Sequence, residues 1–286
     1  MRVDSQMIDL QTVRTTARAW LSAALAAVTM GLAADALPDS GNANTTAEAG
    51  ISDSSIGLRV KTGYNYTIGN YGTTATTQIR AIPLDFTWET GNYAFALSLA
   101  YLDLKAPTDT VIVNGLPVFV EGANAPIVTQ HGWDDPVASV TRFVLNEEEQ
   151  WIDFDVTGQV KVPVNHTLGT GKFDLNLQAD LSKTTGRLLS TVTLGYYIPG
   201  KAADLDLVNY WHLSVDEAVR VTGPFKVGAA YYLGQPITDG GPSQSELTAY
   251  VTYQIAQYVK FELYYLKGFS NGSPAHGAGG FVTVYF

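Results

Sequence analysis

Three patterns in the 286-residue chain bring together residue types that could do chemistry. The first is His212-Leu213-Ser214. In an extended segment it puts an imidazole and a hydroxyl on one face, the start of a hydrolytic site if a third polar group orients the ring. Trp211, Leu213 and Val215 make the better apolar face, so His212 and Ser214 turn away from it, and no Asn follows where it could orient the ring. No catalytic residue is expected. The second pattern is the set of histidines, His131, His166, His212 and His276, which shows no metal-ligand spacing. With no Cys in the chain, thiolate nucleophiles, Cys-ligated zinc and iron–sulfur clusters are excluded, and neither metal nor cofactor is expected. The third pattern is a series of charges at alternate positions. Arg59 and Lys61, Asp153, Asp155 and Lys161, Asp174 and Asp180, and Lys260 and Glu262 fall on shared faces, with Asp85, Lys226 and Glu246 on further segments. Ionisable groups two residues apart on a strand point the same way, and such rows select solutes by field and hydrogen bonding when they line a path. The competing reading is that they pair with one another inside a structural interior.

The elements that must carry these rows are strands. Ile56, Leu58, Val60, Thr62, Tyr64 and Tyr66 alternate with polar or small residues. So do Phe173 to Leu181, Leu247 to Ile255 and Val259 to Tyr265. A period of two over about ten residues is a strand with one apolar face, and a tilted membrane strand needs about nine to eleven residues. Twelve strands are predicted, near 56–66, 77–88, 93–104, 136–145, 150–164, 172–182, 187–198, 204–215, 224–233, 245–255, 259–267 and 279–286. Short connections alternate with longer ones, except that 199–203 reads as a short loop and 216–223 as a long turn. Tyr64, Tyr66, Trp88, Tyr93, Tyr101, Tyr196, Tyr231, Tyr253 and Tyr265 sit near strand ends on the apolar face, as interfacial girdles do. The expected fold is all-β, a transmembrane antiparallel up-and-down barrel of about twelve strands. Ala94, Ala96, Ser98 and Ala100 leave room inside it. The longest interruption, 105–135, contains TVIVNGLPVFVEG with Asn114-Gly115 as a hairpin turn. It either folds into the barrel as a constriction, stands out as a lid, or extends two strands beyond the membrane.

Residues 1–36 read as a cleaved signal peptide. Arg14 and Arg18 precede the apolar run from Trp20 to Ala34, and Ala34-Asp35-Ala36 is a small-x-small cleavage site, with translation starting at Met1 or Met7. Residues 37–55 are a polar, flexible periplasmic lead-in, and 56–286 the barrel. A net charge of −10 argues against a phosphate-binding surface, so no nucleic-acid partner is expected. The 46% hydrophobic content suits an apolar outer surface, and the 15% charged content suits lipid contact. The last strand ends in Phe286, read as the signal to the barrel assembly machinery.

Two stretches go further. Lys161-Val162-Pro163-Val164, followed by His166–Lys183, joins a Lys/apolar/Pro strand end to a Gly-x-Gly loop and an alternating Asp-containing strand. The ending Leu266–Phe286 carries Lys-Gly-x-Ser, Ser-Pro and a final strand. Both resemble the MetA-pathway of phenol degradation family of outer-membrane proteins, over roughly residues 56–286, although that family's usual Pro-Thr-Gly reads Pro163-Val164-Asn165 here. The resemblance implies an outer-membrane barrel that handles aromatic or other hydrophobic small molecules. The expected function is therefore an outer-membrane channel or transporter for a small organic solute through a narrow lumen of mixed charge. Its partners are outer-membrane lipid, the assembly machinery and the solute. Oligomeric state is left open. A structural or partner-binding barrel without transport is the alternative. A lipid-modifying enzyme, of the kind in which outer-membrane phospholipases use a lipid-facing His-x-Ser pair, is the remote one.

Overall fold

The computed structural model describes residues 56–108, 110–119, 125–147, 150–165 and 167–286. The expected signal peptide, the lead-in and His166 lie outside the described residues. The elements are strands: β1 Ile56–Gly69, β2 Thr77–Thr90, β3 Tyr93–Pro107, β4 Thr110–Val113, β5 Leu116–Phe119, β6 Ile127–Trp133, β7 Val137–Leu145, β8 Asp153–Lys161, β9 Asp174–Thr185, β10 Leu188–Ile198, β11 Tyr210–Thr222, β12 Phe225–Gly234, β13 Gln244–Ala256, β14 Val259–Gly268 and β15 His276–Tyr285.

Thirteen strands form one antiparallel sheet, and β1 pairs with β15 to close it. Both β6 and β7 pair with β3, at Tyr101–Pro107 and Tyr93–Ser98 respectively, so they are two halves of one interrupted strand and the wall has twelve positions. Asp134-Asp135-Pro136 causes the interruption, because Pro136 has no N–H to give to the ladder. Closure leaves no bare edge, and only closed barrels and helices satisfy their backbone in hydrocarbon.

The two faces follow the alternation. Along β9, Asp174, Asn176, Gln178, Asp180 and Ser182 are buried, while Leu175, Leu177 and Leu181 are exposed. Leu58, Ile82, Leu97, Val140, Leu194, Leu213, Leu233 and Leu263 continue the exposed apolar surface around the wall. Tyr64, Trp88, Tyr93, Tyr101, Tyr231, Tyr253 and Tyr265 are exposed on it, as expected. This is a closed barrel with an apolar outside and a polar inside, the outer-membrane architecture.

One expected strand is displaced. The segment read as 204–215 is Tyr210–Thr222, so the loop before it spans 199–209 and the turn after it is only 223–224. Leu205 and Leu207 alternate like strand residues, but they are buried loop residues, and Leu207 makes an isolated bridge to Thr238. Asp216, which reads as the start of a turn, is instead an inward position of β11. With this correction the two-residue turns 91–92, 186–187, 223–224 and 257–258 all lie at one end, joined there by the longer 146–152 connection. The remaining loops between wall strands, of seven residues or more, lie at the other. The first and last strands, β1 and β15, begin and end at the short-turn end.

Candidate functional site

Burial divides the interior into two layers. Toward the short turns it is polar. Asp85, Thr87, Ser98, Ser139, Thr141, Asp155, Thr157, Asp180, Ser182, Thr191, Thr193, Asp216, Thr252, Lys260, Glu262 and Thr283 are buried there. Toward the long loops large apolar and aromatic residues join buried polar ones such as Asn65, Thr77, Asn176, His212, Gln244 and Glu246. Ile79, Leu102, Leu104, Tyr197, Tyr210, Tyr232 and Leu266 point inward and pack with loop residues Tyr71, Leu168, Leu205, Leu207 and Ile237.

Of the residues expected to line the lumen, Arg59, Asp85, Asp155, Lys161, Asp174, Asp180, Glu246, Lys260 and Glu262 are buried, and Lys61, Asp153 and Lys226 are half-buried. They do not converge on one centre. Arg59, Lys61, Lys226 and Lys260 stand on β1, β12 and β14, in the same arc as Asp85 and Glu262. Lys61 lies 3.9 Å from the centre of the Phe281 ring and opposite Asp85 in the ladder. Arg59 donates to the Thr87 hydroxyl at 3.4 Å. Asp153, Asp155 and Asp180 stand on β8 and β9, opposite β14 and β15 in the ring of strands. Asp155 faces Asp180 directly across the ladder. Asp180 accepts hydrogen bonds from Thr193 at 2.8 Å and from Gln178 at 2.9 and 3.0 Å.

Lys161 and Asp174 belong to a different unit, near the long-loop end. The Lys161 ammonium is 2.7 Å from Asp174 and 3.5 Å from Asp135, and all three are almost fully buried. Asp135 Oδ1 accepts the Val164 and Asn165 N–H groups, each at 2.8 Å. Asp174 accepts the Tyr197 hydroxyl and the Gly200 N–H, both at 2.7 Å. One buried cluster thus ties the β6–β7 break to the loops after β8 and β10. Sequence reading missed Asp135, whose only signal was the Asp-Asp-Pro break.

The β4–β5 hairpin occupies the long-loop end. It forms a separate two-stranded sheet and does not extend the wall. Asn114 and Gly115 have φ of 47° and 74°, the left-handed pair that a two-residue hairpin turn requires. Ile112, Val113, Leu116 and Val118 are buried against the apolar layer, each contributing on the order of 1.5–3 kcal/mol in transfer terms. The Ile112 N–H donates to the Leu168 carbonyl at 2.6 Å, and the Asn114 amide donates to the Tyr210 hydroxyl. The hairpin is therefore seated inside the barrel mouth, on the loop that the Lys161 cluster holds. β6, in the same long interruption, extends the pairing of β3 instead. Between the hairpin and the neighbouring loops lies a cleft of about 200 Å³ bounded by Tyr71, Pro117, Phe119, Ile237, Pro242 and Gln244. Burial pushes the Tyr71 hydroxyl well above its ordinary pKa, so it stays neutral and donates to Thr67.

His212 and Ser214 are buried on the inward face while Trp211 and Leu213 are exposed, so no lipid-facing pair forms. The imidazole lies across Gly195, where an added Cβ would come within 2.0 Å of Nε2. Among the described residues no group of three or more His, Asp or Glu could hold a metal ion.

The chain is similar in structure to the COG4313 outer membrane channel from Pseudomonas putida F1, at a TM-score of 0.60 and 10% identity over 82% of this chain and 97% of that one. The NanC porin gives a TM-score of 0.48 at 11% identity, covering 80% of this chain and 99% of that one. The KdgM porin in complex with disordered oligogalacturonate gives 0.47 at 7%, covering 79% and 99%. No family model matches, including any for the phenol-degradation group that the Lys161 and Leu266 motifs resemble, and no curated protein matches in sequence. At these identities the likeness is one of fold, and the chain is an outer-membrane β-barrel.

Proposed function

We propose that the barrel is an outer-membrane channel for a small organic solute, with the β4–β5 hairpin as its extracellular gate. The observation that carries this reading is the pairing of a charged inner layer with a removable closure. Ionisable side chains line the short-turn half, whereas the long-loop half is stopped by a hairpin outside the wall's hydrogen-bond ladder. Barrels of this kind place short turns in the periplasm and long loops outside. Eight strands are filled by their side chains and sixteen leave an open pore, so twelve suit a path shaped by side chains. Within it, Arg59, Lys61, Asp85, Asp153, Asp155, Asp180, Lys226, Lys260 and Glu262 set selectivity, whereas Lys161 and Asp174 anchor the mouth and Glu246 stands at the long-loop end, opposite Tyr232. The apolar layer above them favours a solute with an apolar portion, in keeping with the family resemblance. Phe286, at the end of the closing seam, fits the role of assembly signal.

The tight burial of the interior favours the second reading, a closed barrel that presents its loops to a partner. Planar-bilayer recording separates the two. The intact barrel should show small or infrequent openings, and replacing 110–119 with a short Gly-Ser linker should raise mean conductance severalfold. Zero conductance from both proteins, in preparations shown to be folded, would overturn the channel.

A further inference from the structure

On the wall of β8, β9 and β10, register places six inward side chains in a two-by-three patch. Asp153 faces Ser182 and Asp155 faces Asp180. Ser182 and Asp180 in turn face Thr191 and Thr193. Opposed Cβ atoms in a ladder are about 4.5–5.5 Å apart, so these are contiguous groups. The patch offers three carboxylates and three hydroxyls. On β8 and β9 themselves Lys161 is paired with Asp174 and Asp135, and Lys183 with Glu147, and the flanking strands bring no cation to the patch. Neither β7 nor β10 carries a Lys, and the single Arg on them, Arg142, turns outward to the Tyr93 hydroxyl at 3.1 Å. The basic side chains Arg59, Lys61, Lys226 and Lys260 are on other strands, with Asp85, Asp216 and Glu262 interspersed among them.

Two features suit the patch to a cation. The Ser182 and Thr191 hydroxyls are 0% and 2% exposed and have no hydrogen-bond partner among the described residues. Buried hydroxyls are ordinarily paired, and an unpaired one costs free energy. Asp155 and Asp180, meanwhile, stand opposite each other across one rung and almost fully buried, where ionising both carries a cost in repulsion that a cation offsets. A cation seated between the carboxylates and hydroxyls relieves both defects.

Resting on the channel reading above, we infer that this patch binds the primary ammonium group of the permeating solute. An ammonium has three donors and no acceptor, which suits acceptors arrayed on one wall and leaves the organic part in the lumen. Bare hard metal ions take six or more oxygens around them. The solute class is then a small organic amine with an apolar portion, recognised by the acidic wall at one end and the apolar layer at the other.

Calorimetry on the full chain folded in detergent, at constant ionic strength, tests the site without requiring conduction. Propylammonium chloride is the probe, 1-propanol its neutral isostere and potassium chloride the alkali competitor. Propylammonium should bind and propanol should not compete. The double variant Asp155→Asn/Asp180→Asn should weaken binding at least tenfold. Ser182→Ala/Thr191→Val, which keeps every charge, should weaken it severalfold, and Glu217→Gln on the outer face should leave it unchanged. Heat-modifiability on gels confirms folding of each variant. Equal binding to wild type and to the carboxamide variant would overturn the site, and so would displacement by potassium as strong as by propylammonium. Binding by a barrel that never conducts would overturn the channel and leave the site standing.

Discussion

At the scale of single residues, the interior charges fall into two structurally distinct sets. Lys161 is held between two carboxylates that also cap backbone N–H groups, an arrangement fit for structure. Replacing one partner of a buried ion cluster strands the others, at a cost of about 3–5 kcal/mol. Lys161→Met should therefore lower the urea midpoint of the folded barrel. It should also speed amide exchange at Val164 and Gly200, whose N–H groups bond to Asp135 and Asp174. Unchanged exchange at both positions would show that the carboxylates hold the loops without the lysine. The alternation already put Lys161 and Asp174 on the inner face. Their division of labour from Asp155 and Asp180 was not readable, because it depends on Asp135, which reaches them only through a kink in a different strand.

At the scale of elements, strand identity was legible and strand limits were less so. A strand between two solvents, lipid outside and polar interior inside, must alternate, and β1, β9, β13 and β14 do so without a break. Adjacent tyrosines illustrate how far that rule reaches. Tyr196-Tyr197, Tyr231-Tyr232 and Tyr264-Tyr265 each split, the first of the first two pairs and the second of the last facing outward, while Tyr197, Tyr232 and Tyr264 face in. The rule failed at 204–209 because a loop packed into the barrel mouth also alternates, with Leu205 and Leu207 inward. The hairpin was visible in Asn114-Gly115, but its seat was not, since Tyr210 and Leu168 lie far along the chain. Gly115 is the position on which the proposed gate depends. Its φ of 74° excludes a β-branched residue at low cost. Gly115→Val should loosen the hairpin while leaving the wall's ladder intact. The result should be more frequent channel openings with little change in the unfolding midpoint. Fewer openings, or a collapse of barrel stability, would contradict a gate that is independent of the wall.

At the scale of the whole molecule, the bilayer sets the tolerance map. Leu263 is 62% exposed, midway along β14, where a cation meets hydrocarbon. Leu263→Arg should destabilise the barrel by about 2–4 kcal/mol in lipid. The same change near a strand end, at Leu58, should cost far less, and equal effects would place the apolar belt elsewhere. The seam adds a constraint of a different kind. Neighbouring strands can find each other as local hairpins, but Arg59 must meet Tyr285, and Leu58 must exchange backbone hydrogen bonds with Phe286. Contacts so distant in sequence form slowly. Until they form, the nearly finished sheet carries two naked margins, at β1 and β15, each able to pair with another chain. Closure is therefore expected to be a slow step of folding and the one most exposed to aggregation. A chaperone that lends either margin a temporary strand would speed folding without changing the final energy.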